Sequence, residues 1–107
     1  MTNQPPMISK AFQAFMTEAP EHAHAWAAAV QELDKACALD KKTAELAYLA
    51  VLAALRLENG VPFHTLSAKK AGATRQEVVS AILIGLTAAG NGVTQVLPAA
   101  LQAYDAG

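Results

Sequence analysis

Apolar residues recur at helical spacing through every long segment of the chain. Alanine, leucine and other good helix formers dominate, and β-branched clusters are few and short. Residues 1–6 read as a loose start containing Pro5 and Pro6. Met7 to Met16 then places Ile8, Phe12, Phe15 and Met16 on one face, which predicts a short amphipathic helix. Pro20 suits the first turn of a second helix, which runs to about Cys37 with Trp26, Val30 and Leu33 on one side. Asp40 is a good N-cap for a third helix, Lys41 to about Leu57. From Leu46 to Leu55 only Tyr48 interrupts its aliphatic run. A helix apolar all round is expected to be central and buried all round, and Asn59–Gly60 supplies a stop signal.

Pro62 opens a short fourth helix that carries His64 and ends at Gly72, a plausible left-handed cap. Thr74 and Glu77 have the spacing of a capping box, predicting a fifth helix from about Arg75 to Ala89 with Val78, Ile82 and Leu86 on one stripe. Gly90, Asn91 and Gly92 break it, and Val93 to Tyr104 makes the last helix. Within that segment Pro98 either kinks the helix or marks its true first turn. The fold expected is all-α: one domain over residues 1–107, built as a compact bundle of about six helices. No repeat or low-complexity tract interrupts it.

Composition adds an expectation about assembly. The chain has 107 residues, 53% of them hydrophobic, and its mean hydropathy is +0.22. A domain this small buries only about two thirds of the surface its unfolded chain exposes, so other subunits are expected to cover the apolar excess. Eight basic and nine acidic residues give a net charge of −1. The nearest thing to a basic patch is Lys69, Lys70 and Arg75, which argues against nucleic acid or an anionic membrane as partner. The start MTNQPPMISK lacks the pattern of a leader, and the run Leu46–Leu55 is about half a membrane span. A cytoplasmic location follows by default.

Few residues are candidates for chemistry. The single cysteine, Cys37, excludes an internal disulfide and a multi-thiolate zinc site. It reads as a small apolar packer near a helix end, with a reactive thiol as the alternative. His22 and His24 stand two apart, so their side chains diverge and make no one-face metal pair; no metal site is expected. His64 follows a Gly-Val-Pro-Phe turn at a helix start, and is either a general acid–base group or a packed capping histidine. Glu45 lies where the third helix turns apolar. A carboxylate entering the interior needs a partner, and His64, Lys41, Lys42 and Arg56 are within reach. The alternative is a surface glutamate paired along its own helix. Arg56 either pairs with Glu58 at the surface or lines a pocket and holds a carboxylate.

The stretch LDKKTAELAYLAVLAALRLENGVPFHTLSAKKAGATRQEVVSAI resembles the carboxymuconolactone decarboxylase family, which includes the AhpD-like alkylhydroperoxidases. The most specific elements are ELA opening the apolar helix, and FH followed by AKKAGAT and a glutamate. In peroxidase members a glutamate precedes a Cys-x-x-Cys pair by twelve positions, and a histidine follows four after the second cysteine. Glu45 and His64 fit that spacing, while Leu57 and Gly60 occupy the two thiol positions. Peroxide reduction by that route needs both thiols, so the peroxidase reading is excluded.

The resemblance to the lactone decarboxylases implies a cofactor-free enzyme acting on a small organic acid or lactone. His64 would be its acid–base group and Glu45 the partner of that histidine. It also implies trimers or hexamers whose neighbouring subunits close the pocket. Two other classes stay open: a non-catalytic oligomeric scaffold or small-ligand binder of the same fold, and a thiol-dependent antioxidant protein using Cys37.

Overall fold

In the computed structural model, which describes residues 9–107, the Ser9 hydroxyl accepts a 3.1 Å hydrogen bond from the Phe12 amide. That cap opens α1 (Lys10–Glu18). Met7, Ile8 and the loose start expected over residues 1–6 lie outside the described residues. Pro20 sits in the first turn of α2 (Pro20–Ala36), as its fixed φ allows. The two helices pack on each other within a first compact unit that ends at Leu39. Neither contributes a buried residue, and Trp26 and Leu33 are 55% and 69% exposed. Cys37 caps α2 in extended backbone and is exposed. The expectation of a packed thiol fails because this pair of helices has no interior to receive it.

The second compact unit, Asp40–Gly107, has a core of its own. Asp40 accepts from the Thr43 amide at 2.8 Å and starts α3 (Lys41–Leu55). This bond is the main reason the Asp40 carboxyl titrates below its ordinary value. α3 buries only Glu45, Leu49, Leu52 and Ala53, while Val51 and Leu55 are 56% and 62% exposed. The expected burial on all sides is therefore corrected to burial of one stripe.

The stop at Asn59–Gly60 is corrected too. The chain turns at Arg56, which adopts the left-handed conformation with φ 58° and ψ 40°. The Leu57 amide reaches back to the Leu52 carbonyl at 2.9 Å, and the Arg56 amide to Ala53 at 3.1 Å. That is a Schellman closure with arginine where glycine is usual. Asn59 and Gly60 instead belong to a single 3₁₀ turn, Glu58–Gly60.

α4 (Val61–Lys70) starts with Pro62 in its first turn. It ends in a second Schellman closure, Ala73 amide to Ala68 carbonyl at 2.9 Å, here with Gly72 at φ 102°. The expected capping box is present: the Glu77 amide donates to the Thr74 hydroxyl at 3.0 Å and the Thr74 amide to Glu77 Oε1 at 2.9 Å. It opens α5 (Arg75–Leu83). The predicted single helix to Ala89 is broken at Ile84–Gly85 and resumes as α6 (Leu86–Ala89). Gly85 weakens a helix interior, and a Cβ there would meet Val93 at 3.5 Å, an ordinary van der Waals contact. The following segment is a 3₁₀ turn, Asn91–Val96, leading into α7 (Leu97–Ala106) with Pro98 in its first turn.

Within this unit α3 lies against α4, α5 and the Asn91–Val96 turn, and α4 lies against α7. Leu49, Val61, Val78, Ile82, Val93 and Val96 are fully buried between them. Burial of such side chains is each worth roughly 1.5–3 kcal/mol, so these six carry much of the unit's stability. Polar clamps hold α7 in place. The Tyr104 hydroxyl donates to the Ala73 carbonyl at 2.8 Å, Lys69 donates to the Tyr104 carbonyl at 2.8 Å, and Arg75 forms a fork on Asp105 at 2.9 and 3.0 Å. Among the described residues every regular element is helical, and no helix is long and apolar enough to cross a membrane.

Candidate active site

Two helices of the second unit build the site. On α3, Glu45 stands on the buried stripe one turn before Leu49, so its carboxylate is carried inward; its side chain is 11% exposed. On α4, the Gly60–Val61–Pro62 entry sets His64 in the second turn, facing α3. His64 Nδ1 lies 2.7 Å from Glu45 Oε2. The other carboxylate oxygen, Oε1, is 3.1 Å from the Lys41 ammonium. Of the four partners considered for Glu45, the structure brings in His64 and Lys41. Lys42 turns instead to Glu77 at 2.9 Å.

A carboxylate only accepts hydrogen bonds, so in this contact Nδ1 of His64 carries the proton. The opposite ring nitrogen, Nε2, is then not engaged by Glu45, and an imidazole nitrogen in that state can take a proton in the neutral ring or give one from the charged ring. Aromatic groups hold the ring plane. Tyr48 stacks on it with centroids 3.9 Å apart and an interplanar angle of 16°. Phe63 meets it edge-on at 5.2 Å and 78°. The His64 side chain remains 20% exposed, so solvent and small molecules have access to it. Tyr48 and Phe63 were missed by sequence reasoning. Tyr48 showed only as an interruption of an aliphatic run, though its place three residues after Glu45 puts both on neighbouring helical positions.

The two vacated thiol positions differ in setting. Leu57 is 51% exposed. Gly60 lies beside the imidazole: a Cβ there would be 3.8 Å from His64 Cδ2 and 3.3 Å from Leu52 Cδ1. Its backbone, at φ −86° and ψ −10°, is one any residue adopts. What glycine supplies here is room at the Cδ2–Nε2 edge of the ring.

Arg56 lies past the end of α3 in left-handed backbone, where helical spacing no longer sets its direction, and among the described residues it forms no hydrogen bond or ion pair with Glu45 or His64. Its guanidinium covers Gly92, where an added Cβ would collide with it. Among the described residues Arg56 forms no ion pair, so the expected pairing with Glu58 is not made. His22 and His24 are exposed on α2. Among the described residues no group of three or more His, Cys, Asp or Glu could hold a metal ion. A separate open groove of about 580 Å³ between α3 and α5, lined by Leu46, Ala50, Ser80 and Ile84 among others, includes neither Glu45 nor His64. The Thr65 hydroxyl, next to His64 in sequence, is buried without a partner.

The second unit is thus an all-helical fold that carries a carboxylate–imidazole pair on adjoining helices. The family follows from direct comparison. A model of the carboxymuconolactone decarboxylase family matches residues 20–105, across both compact units, and the chain belongs to that family. With one cysteine in the whole sequence, it lacks the Cys-x-x-Cys pair. Comparison with curated proteins and with solved structures gives no match.

Proposed function

We propose that this protein is a cofactor-free enzyme acting on a small organic acid or lactone by proton transfer, with His64 as the acid–base group and Glu45 as its partner. The observation that carries the proposal is the 2.7 Å contact between His64 Nδ1 and Glu45 Oε2, which commits one ring nitrogen and leaves the other for substrate. Membership of the carboxymuconolactone decarboxylase family supports the substrate class. In such a decarboxylation the bond to the carboxylate breaks, and its electron pair moves into the conjugated lactone carbonyl. Carbon dioxide leaves, and Nε2 of the imidazolium delivers a proton to carbon. Glu45 holds the ring through Nδ1 throughout, so that Nε2 stays aimed at the reacting carbon.

Arg56 is proposed as the cation that holds a substrate carboxylate. Support comes from its lack of an ionic partner among the described residues. The site is also proposed to be completed in a homo-oligomer, a trimer or a hexamer. Tyr48, Val51, Leu55, Leu57 and Phe63 are each at least half exposed in the single chain, more apolar surface than a monomer usually leaves open.

The test is a panel of unsaturated lactone carboxylates incubated with the protein in deuterium oxide. Release of carbon dioxide with one deuteron at a single product carbon supports the proposal. No release from any member of the panel, from protein of verified assembly, supports the scaffold or ligand-binding alternative, in which the pair merely ties α3 to α4. Unchanged peroxide turnover in Cys37→Ser, or no peroxide turnover in the wild type, disposes of the thiol-dependent alternative.

A further inference from the structure

Lys41 occupies a place that helix energetics does not explain. It is the first residue of α3, where the positive end of the macrodipole disfavours a cation. Its partner Glu45 lies four residues later, the reverse of the favoured order for such a pair. Burial gives no reason either, since the Lys41 side chain is 67% exposed. The neighbouring Lys42 has a clear structural task, because it reaches Oε2 of Glu77 at 2.9 Å while Oε1 closes the capping box. Among the described residues Lys41 pairs with Glu45 alone.

The consequence lies in the geometry of Glu45. A carboxylate has two equivalent oxygens, and a buried one left unpaired draws the group round toward water. Here each oxygen has its own partner: Lys41 Nζ at 3.1 Å on Oε1 and His64 Nδ1 at 2.7 Å on Oε2. Stacking by Tyr48 fixes the plane of the ring. It does not select a tautomer, because the ring nitrogens make their hydrogen bonds in the plane and the stacked face meets neither.

We propose that Lys41 is a positioning residue for the acid–base pair. Its ammonium occupies Oε1, leaving Oε2 as the fixed acceptor for Nδ1, and so holds His64 as the Nδ1–H tautomer with Nε2 turned to substrate. The functional meaning rests on the proposed role of His64. The geometric claim does not, and it is tested without turnover.

The experiment is ring-¹⁵N NMR of His64 in the wild type, Lys41→Met, Lys41→Arg and Glu45→Gln, comparing the neutral ring in each. The wild type is expected as the Nδ1–H tautomer. An exposed lysine pair is weak, so Lys41→Met is expected to raise the other tautomer, and the exchange rate of the Nδ1 proton, by about two- to threefold. Lys41→Arg is expected to restore the wild-type values, and Glu45→Gln to show the larger change. The proposal is overturned if Lys41→Met leaves both quantities unchanged, if Lys41→Arg behaves like Lys41→Met, or if the wild type carries its proton on Nε2. An empty substrate screen would defeat the catalytic role of the pair, while the tautomer result still decides whether Lys41 governs Glu45.

Discussion

His64 Nδ1 and Glu45 Oε2 meet at 2.7 Å across the junction of α4 with α3, from positions nineteen apart in sequence. The bond is part-buried and joins two helices, so it contributes to stability. Removing the imidazole leaves a largely buried carboxylate supported only by Lys41. His64→Ala is expected to lower unfolding stability by about 1–3 kcal/mol. In a double-mutant cycle with Glu45→Gln, denaturant unfolding should give a coupling of about 1–2 kcal/mol. Additive losses would mean that the contact carries no energy of its own.

Gly60 offers a test of access to the ring. Its backbone accepts alanine, and the added Cβ meets Leu52 Cδ1 at 3.3 Å and His64 Cδ2 at 3.8 Å. Gly60→Ala is therefore expected to keep stability within about 1 kcal/mol of wild type. It should nonetheless slow modification of His64 by diethyl pyrocarbonate, followed by mass spectrometry. Unchanged modification would show that the reagent does not approach along that edge.

At Arg56 the conformation and the proposed function pull in opposite directions. A non-glycine residue in the left-handed region costs on the order of 1–2 kcal/mol, and Arg56 sits there at φ 58°. Arg56→Gly is expected to hold or raise the melting temperature, read by circular dichroism. It should also weaken binding of carboxylate ligands, read by calorimetry. A clear loss of stability would show that the contact of the guanidinium with Gly92 outweighs the strain.

Acid should loosen the second unit at three identifiable points, the first being the Asp40 cap of α3. The Asp105 carboxyl is held below its ordinary value of 3.8, chiefly by the side-chain bond from Arg75. Glu77 is held below its ordinary 4.5, chiefly by the Thr74 backbone bond and then by Lys42. A carboxyl with a depressed folded value contributes stability that is full above the unfolded value and is lost as pH falls through the folded one. Melting temperature is thus expected to be insensitive to these groups near neutrality and to fall below about pH 4.5. Asp105→Asn should make that fall shallower. An identical acid limb in the variant would remove the Arg75–Asp105 fork from the account.

Local chemistry made much of this fold legible in advance. Asp40, the Thr74–Glu77 box, Pro62 and Gly72 act within one turn of their own position, and each does what its residue type dictates. The errors lie where tertiary contacts decide. Nothing near Arg56 in sequence announces a left-handed arginine, whose guanidinium lies over Gly92, thirty-six positions away in sequence. α3 has no polar face to show which side is open, so composition alone suggested burial all round. The site was half legible: a glutamate entering an apolar helix demands a partner, and His64 was one of four candidates. Which of the four it takes, and the stacking of Tyr48, depend on how α4 folds back on α3.

The central claim is that His64, held by Glu45, transfers a proton to or from a small acid or lactone. It is tested most directly by steady-state turnover of the best lactone carboxylate from the panel, comparing wild type with His64→Gln and checking fold and assembly by circular dichroism and sedimentation. Loss of an acid–base group is expected to lower kcat by about 10²–10⁴-fold in a folded, assembled variant. Wild-type kcat in that variant would contradict the claim.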